Sequence, residues 1–95
     1  MKMKILKRNG LENFNFGKLA INEHFIYVDG SFEFFAIKTN ENYAVLINAD
    51  GEFACARAYK NCLSLSTTGA RVFPTFEKAV EFCERENQLD IEYMR

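Results

Sequence analysis

One stretch of this chain repeats with a helical period, and the rest does not. Between Pro74 and Asn87 the apolar residues Phe76, Ala79, Val80 and Cys83 recur at i, i+3, i+4 and i+7. At about 100° per residue this spacing gathers them into one stripe, as in a helix laid on a sheet. Pro74, the single proline, stops what precedes it, and Thr75 stands where an N-cap is needed. Elsewhere the apolar residues alternate with polar ones at a period of two, the pattern of strands with two unlike faces. The expected architecture is α+β: a mostly antiparallel sheet of about six to seven short strands built from Asp-Gly hairpins, with one helix at 75–87 packed on one face. Beyond Asn87, read as a left-handed C-cap, Leu89, Ile91 and Tyr93 alternate with Asp90 and Glu92. That predicts a short final strand, and a strand-helix-strand ending implies a crossover and a mixed sheet.

Two hairpins carry the sheet. Phe25–Val28 and Ser31–Ile37 flank Asp29-Gly30, and Tyr43–Asn48 and Glu52–Tyr59 flank Asp50-Gly51; Asp-Gly between alternating runs is a strong turn signal because both residues accept positive φ. Two-residue loops set Tyr27 opposite Phe32 and Phe25 opposite Phe34, four aromatics on one face, with His24, Ile26, Glu33 and Phe35 on the other. In the second hairpin, Ala49 opposite Glu52 places Ala54, Ala56 and Ala58 on the face of Tyr43, Val45 and Ile47. This row of methyl-sized side chains is the expected floor for the helix.

The chain has 95 residues, 48% of them hydrophobic, with a net charge of −1, which fits a single domain spanning 1–95. Ten phenylalanines supply core volume that so short a chain otherwise lacks. No run approaches the roughly 18 apolar residues of a membrane span, and the opening residues alternate charge with apolar side chains where a signal peptide would be continuously apolar. A cytoplasmic location without membrane association is the expectation. Cys55, Cys62 and Cys83, odd in number and widely spaced, read as reduced thiols.

The residues that usually carry chemistry are sparse. One histidine, His24, and cysteines without C-x-x-C spacing do not make a metal site, and the single glycines at 10, 17, 30, 51 and 69 belong to turns, not to a phosphate loop. Neither catalysis, a cofactor nor a metal is expected. Binding remains. Glu77, Glu81 and Glu84 form an acidic ridge on the helix flank, against the plain alternative of a solvated face with Glu81 paired to Arg85. Phe82 falls outside the buried stripe, so it is either covered by a neighbouring segment or anchors a partner. Sheets with exposed aromatics also stack bases, and Phe25, Tyr27, Phe32 and Phe34 are the candidate nucleic-acid face. The neighbouring Glu23, Asp29 and Glu33 oppose a phosphate backbone, and the pI is near 5.8.

These readings converge on a non-enzymatic protein-binding module. Its partner-binding residues are Glu77, Glu81, Phe82 and Glu84, and its partner is a protein with a basic surface, such as a nuclease or defence complex. The runners-up are a single-stranded nucleic-acid binder and a small-ligand sponge with a pocket between sheet and helix. A homodimer through an edge strand is also compatible with so small a domain. In size, acidity and an Asn-, Lys-, Ile- and Phe-rich composition suggesting AT-rich coding, the chain resembles the small accessory and inhibitor proteins of bacteriophages and mobile elements, anti-CRISPR and anti-restriction proteins among them. The resemblance is one of size and manner and assigns no residue. It implies an inhibitor or adaptor that works by masking a partner's surface in the host cytoplasm.

Overall fold

The structure, a computed structural model, describes residues 4–7, 16–59, 62–65 and 72–93. It is an α+β fold with a mixed sheet and one C-terminal helix. The strands are β1 (Lys4–Lys7), β2 (His24–Asp29), β3 (Phe32–Lys38), β4 (Tyr43–Ile47), β5 (Phe53–Tyr59), β6 (Cys62–Leu65) and β7 (Val72–Phe73), followed by α1 (Phe76–Tyr93). Spatial order follows chain order from β1 to β6, and β7 pairs with β5 further along the edge that β6 occupies.

The one parallel pair is β1 with β2. It arises at the start of the chain and not, as the strand-helix-strand reading implied, at its end. The connection between these strands includes a 3₁₀ turn at Phe16–Lys18 that crosses the face opposite α1. Glu23 fastens this crossover to the sheet: its carboxylate accepts the Ala20 amide at 2.9 Å and pairs with Lys4 at 3.2 Å. The backbone bond, with Lys4 beside it, holds the Glu23 carboxyl below its ordinary range. The turns expected at Gly10 and Gly69 lie outside the described residues.

Both hairpins differ in register from the two-residue Asp-Gly expectation. In β2–β3, Asp29 pairs with Phe32 and Tyr27 with Phe34, so the turn is Gly30-Ser31. Gly30 sits at φ +61°, where a side chain would be strained. The shift is an even number of residues, and the faces are kept. In β4–β5 the shift is odd. Val45 pairs with Cys55 and Ile47 with Phe53, leaving a longer loop organised by Asn48. The Asn48 Oδ1 accepts the amides of Asp50 at 3.0 Å and Glu52 at 2.9 Å, and the Asn48 amide donates to the Glu52 carbonyl at 3.0 Å. This side chain offers the backbone partners that a two-residue turn would have used. A one-residue slip turns every side chain of a strand over. Ala54 and Ala56 therefore lie with Ala44 and Leu46 on the face away from α1, and the predicted alanine floor is not where the helix docks.

The sheet has two cores. On the crossover face, Leu6, Phe16, Leu19, Phe25, Tyr27, Ala36, Ala44, Leu46 and Ala56 pack together, with Phe34 and Ala58 at the margin. On the helix face, Ala79 and Cys83 meet Tyr43, Val45 and Cys55, bordered by Phe53, Phe73, Phe76, Val80 and Phe82. The odd register also carries Cys55 to the helix face beneath Cys83. The two are joined as a disulfide with Cα atoms 6.1 Å apart, correcting the expectation of reduced thiols. Neither number nor spacing reveals such a pair, because only the register brings the two cysteines together.

The helix runs to Tyr93, so neither the C-cap at Asn87 nor the final strand is formed. Its first half follows the sequence: Thr75 caps it, the Oγ1 accepting the Lys78 amide at 3.3 Å. Its second half keeps the same stripe with polar residues. Asn87 accepts from the Asn42 side chain at 2.9 Å, and Asp90 accepts from the Tyr43 hydroxyl at 2.7 Å while pairing with Arg57 at 3.3 Å. An apolar count loses the stripe where it becomes polar, and Leu89, Ile91 and Tyr93 then imitate a strand.

Burial and the bond to Asp90 together keep the Tyr43 hydroxyl protonated well above the ordinary tyrosine range. A raised native pKa contributes stability that is complete below the unfolded value of about 10 and is lost as pH climbs past it. We predict that Tyr43→Phe costs about 1–2 kcal/mol at pH 8 in urea denaturation. The gap to wild type should narrow above pH 10, and protection from hydrogen exchange should fall chiefly after Cys83. An unchanged gap across that pH range would contradict the Tyr43–Asp90 bond.

Candidate functional site

Of the four aromatics proposed as a stacking face, two are buried and present no surface. Phe25 is 0% exposed and Tyr27 is buried beside it; Phe16 meets Phe25 edge-on at 6.2 Å, and Tyr27 stacks on Phe34 at 6.3 Å. Only Phe34 is half-buried. The side chain of Phe32 lies outside the described residues. The alternation puts Phe25, Tyr27 and Phe34 on one face, and the crossover turn packs against that face through Phe16 and Leu19.

Of the partner-binding set, Glu77, Glu81 and Glu84 are exposed on α1 and Phe82 is half-buried. The Phe82 ring lies 5.2 Å from that of Phe73 on β7, so the neighbouring segment covers it in part. Because β7 sits beyond β5, this contact also shows which way α1 faces. At about 100° per residue, Phe82, Leu89 and Tyr93 occupy the flank toward β7, while Glu77, Glu84 and Ile91, seven residues apart, occupy the flank toward β3. The structure therefore keeps the glutamates together and sets Phe82 on the other side of the helix. Glu81 stands between them, pointing outward.

A surface that sequence reasoning did not assign lies beside that acidic flank. Helix α1 packs on β4, β5 and β7, and by register the same sheet face continues across β3, β2 and β1 through Ile37 and Phe35, Ile26 and Val28, and Ile5. Phe35 is 61% exposed and Ile5 48%, while Ile26, Val28 and Ile37 are half-buried. On the helix, Ile91 is exposed as well. A depression of about 120 Å³ lined by Ile26, Glu33, Phe34 and Phe35 marks its end near the β2–β3 turn. The result is an apolar floor bounded by Glu77 and Glu84 along the helix and by Glu33 at the strand end. The signal was present in the sequence: two strands with Ile26, Phe35 and Ile37 on one parity exceed what one helix can cover.

His24 is exposed at the start of β2, on the same parity. Among the described residues no three His, Cys, Asp or Glu side chains are grouped so as to hold a metal ion. No helix among them is long and apolar enough to cross a membrane. No protein-family model, curated protein or solved structure matches the chain.

Proposed function

We propose that this protein is a small non-enzymatic binding module that docks on a basic surface of a partner protein and masks it, as an inhibitor or adaptor. One observation carries the reading: the apolar sheet face of β1–β3 that the described residues leave uncovered beside the acidic flank of α1. Soluble domains rarely leave large apolar side chains contiguous and exposed unless something binds there. An apolar floor with charged margins is the usual anatomy of a protein contact. The burial of Phe25 and Tyr27 supports a protein partner over a stacked nucleic acid. The partner class that fits is a nuclease or defence complex with a basic surface, in the manner of phage and mobile-element accessory proteins acting in the cytoplasm. In that reducing compartment Cys55 and Cys83 would stand as a packed pair of thiols.

The test is charge reversal. Glu77→Lys, Glu81→Lys and Glu84→Lys combined, with the fold checked by circular dichroism, should weaken capture of the partner from source-cell lysate at least about tenfold, equal to roughly 1.4 kcal/mol. Loss of steep salt dependence should accompany it. Capture that is unchanged at low salt would sink the assignment.

A further inference from the structure

We propose that the trough formed by β1–β3 and the acidic flank of α1 is the seat of one amphipathic helix from a partner protein, with Lys or Arg along the edge that meets α1. This rests on the docking reading above and names the occupant. Packed helices lie about 8–10 Å apart and neighbouring strands about 4.8 Å apart, so a second helix belongs about two strands from the first. Helix α1 rests on β4 and β5, which puts the next helix position, vacant among the described residues, over β2 and β3. Ile26, Val28, Phe35 and Ile37 are the side chains beneath it, with Ile5 at the outer edge. The seven residues of β3 span about 20 Å, matching roughly 14 residues of helix.

Charge decides what kind of helix. Glu77 and Glu84 face the vacant position from the side and Glu33 from one end, so basic residues on the occupant's flanks are complemented and acidic ones repelled. The same charges argue against a second copy of this chain as the occupant. An isologous contact would bring Glu33, Glu77 and Glu84 of both copies around one floor, like charge facing like. An extended strand would add at the outer edge of β1 and would leave the apolar faces of β2 and β3 as they are, so it does not account for the floor.

The experiment uses three synthetic peptides of about 14 residues: leucines at helical spacing with flanking lysines, the same with glutamates, and a scramble of the lysine peptide. Titrated into isotope-labelled protein, the lysine peptide should shift the amides of β2, β3 and the Glu77–Glu84–Ile91 flank, and the glutamate peptide and scramble should not. Phe35→Asp, at a position 61% exposed and with the fold checked by circular dichroism, should weaken calorimetric binding at least tenfold. Glu77→Lys with Glu84→Lys should reverse the preference between the lysine and glutamate peptides. The proposal is overturned by equal binding of the scramble, by shifts on the Phe82–Leu89–Tyr93 flank, or by indifference to Phe35→Asp. It is equally overturned if sedimentation shows a dimer that Phe35→Asp dissociates, since a second copy would then fill the trough. If the peptides fail while the triple glutamate variant still loses its captured partner, the helix is excluded and the masking function stands; failure of both removes both.

Discussion

Phe16→Ala is expected to destabilise the fold by about 3–5 kcal/mol, the range for deleting a fully buried aromatic ring. The ring is 2% exposed and, with Phe25, is one of the two largest fully buried side chains among the described residues. It does more than fill volume. Lys38, at 1% exposure, places its Nζ 4.6 Å from the centre of the Phe16 ring and donates to the carbonyls of Phe16 at 3.2 Å and Leu19 at 2.9 Å. Glu41, mostly exposed, approaches the same nitrogen at 4.0 Å. The lysine thus gives the Leu19 carbonyl a donor and adds a second to the Phe16 carbonyl, which already accepts the Leu19 amide at 3.1 Å, and the ring shields it from water. Removing the ring exposes the ammonium to a partly collapsed cavity. Lys38→Met keeps the apolar stem and abandons the two carbonyls, and should cost about 2–4 kcal/mol. Because both substitutions break one unit, the double variant should lose less than the sum, by at least about 0.5 kcal/mol. Urea unfolding of the four proteins measures this. For a domain of this length, whose whole stability is about 5–14 kcal/mol, either change is large. Additive costs would show that ring and lysine act separately.

The Lys38 clasp also marks how far the sequence could be read. Strand existence followed from alternation, the helix start from Thr75 and the stripe through Cys83, and the α+β class from both. What remained hidden depended on single side chains redirecting backbone. Asn48 satisfied its own turn and moved β5 by one residue, which changed the face of every alanine and of Cys55. Lys38 occupies an inward position of β3, in phase with Phe34 and Ala36, where a charge argues against burial until the Phe16 and Leu19 carbonyls are known to lie there. Asp90 and Asn87 extended the helix by polar contacts that a hydrophobic period does not register. The same limits apply to the candidate site. The acidic ridge was legible because helical spacing alone defines it. The floor beside it was legible only as a parity of Ile26, Phe35 and Ile37, because its exposure depends on which strands α1 leaves uncovered.

The Cys55–Cys83 link should be the second large determinant of stability. It joins β5 to the middle of α1 across a sequence separation of 28. Closing a loop of that size removes unfolded-state entropy equivalent to about 3–4 kcal/mol in the chain-entropy account. Both residues are buried, Cys83 completely, so reductant has access only when α1 lifts or the domain unfolds. Under oxidising conditions Cys55→Ala with Cys83→Ala should therefore lower the unfolding free energy by about that amount, and in excess dithiothreitol the difference should shrink to the packing loss of two small side chains, about 1–2 kcal/mol. Alkylation after denaturation without reductant should label one of the three cysteines, Cys62, and with reductant all three. Three labels without reductant would mean that the pair stands as thiols, and the oxidised and reduced stabilities should then coincide. The consequence reaches the surface, because Cys83 belongs to the same helix as Glu77 and Glu84. In the oxidised protein the covalent tie at that point holds α1 over β4 and β5 and so fixes the acidic flank beside the floor. Oxidised protein should accordingly bind the lysine-flanked helix at least as tightly as reduced protein, with a slower opening of α1 in hydrogen exchange as the accompanying sign.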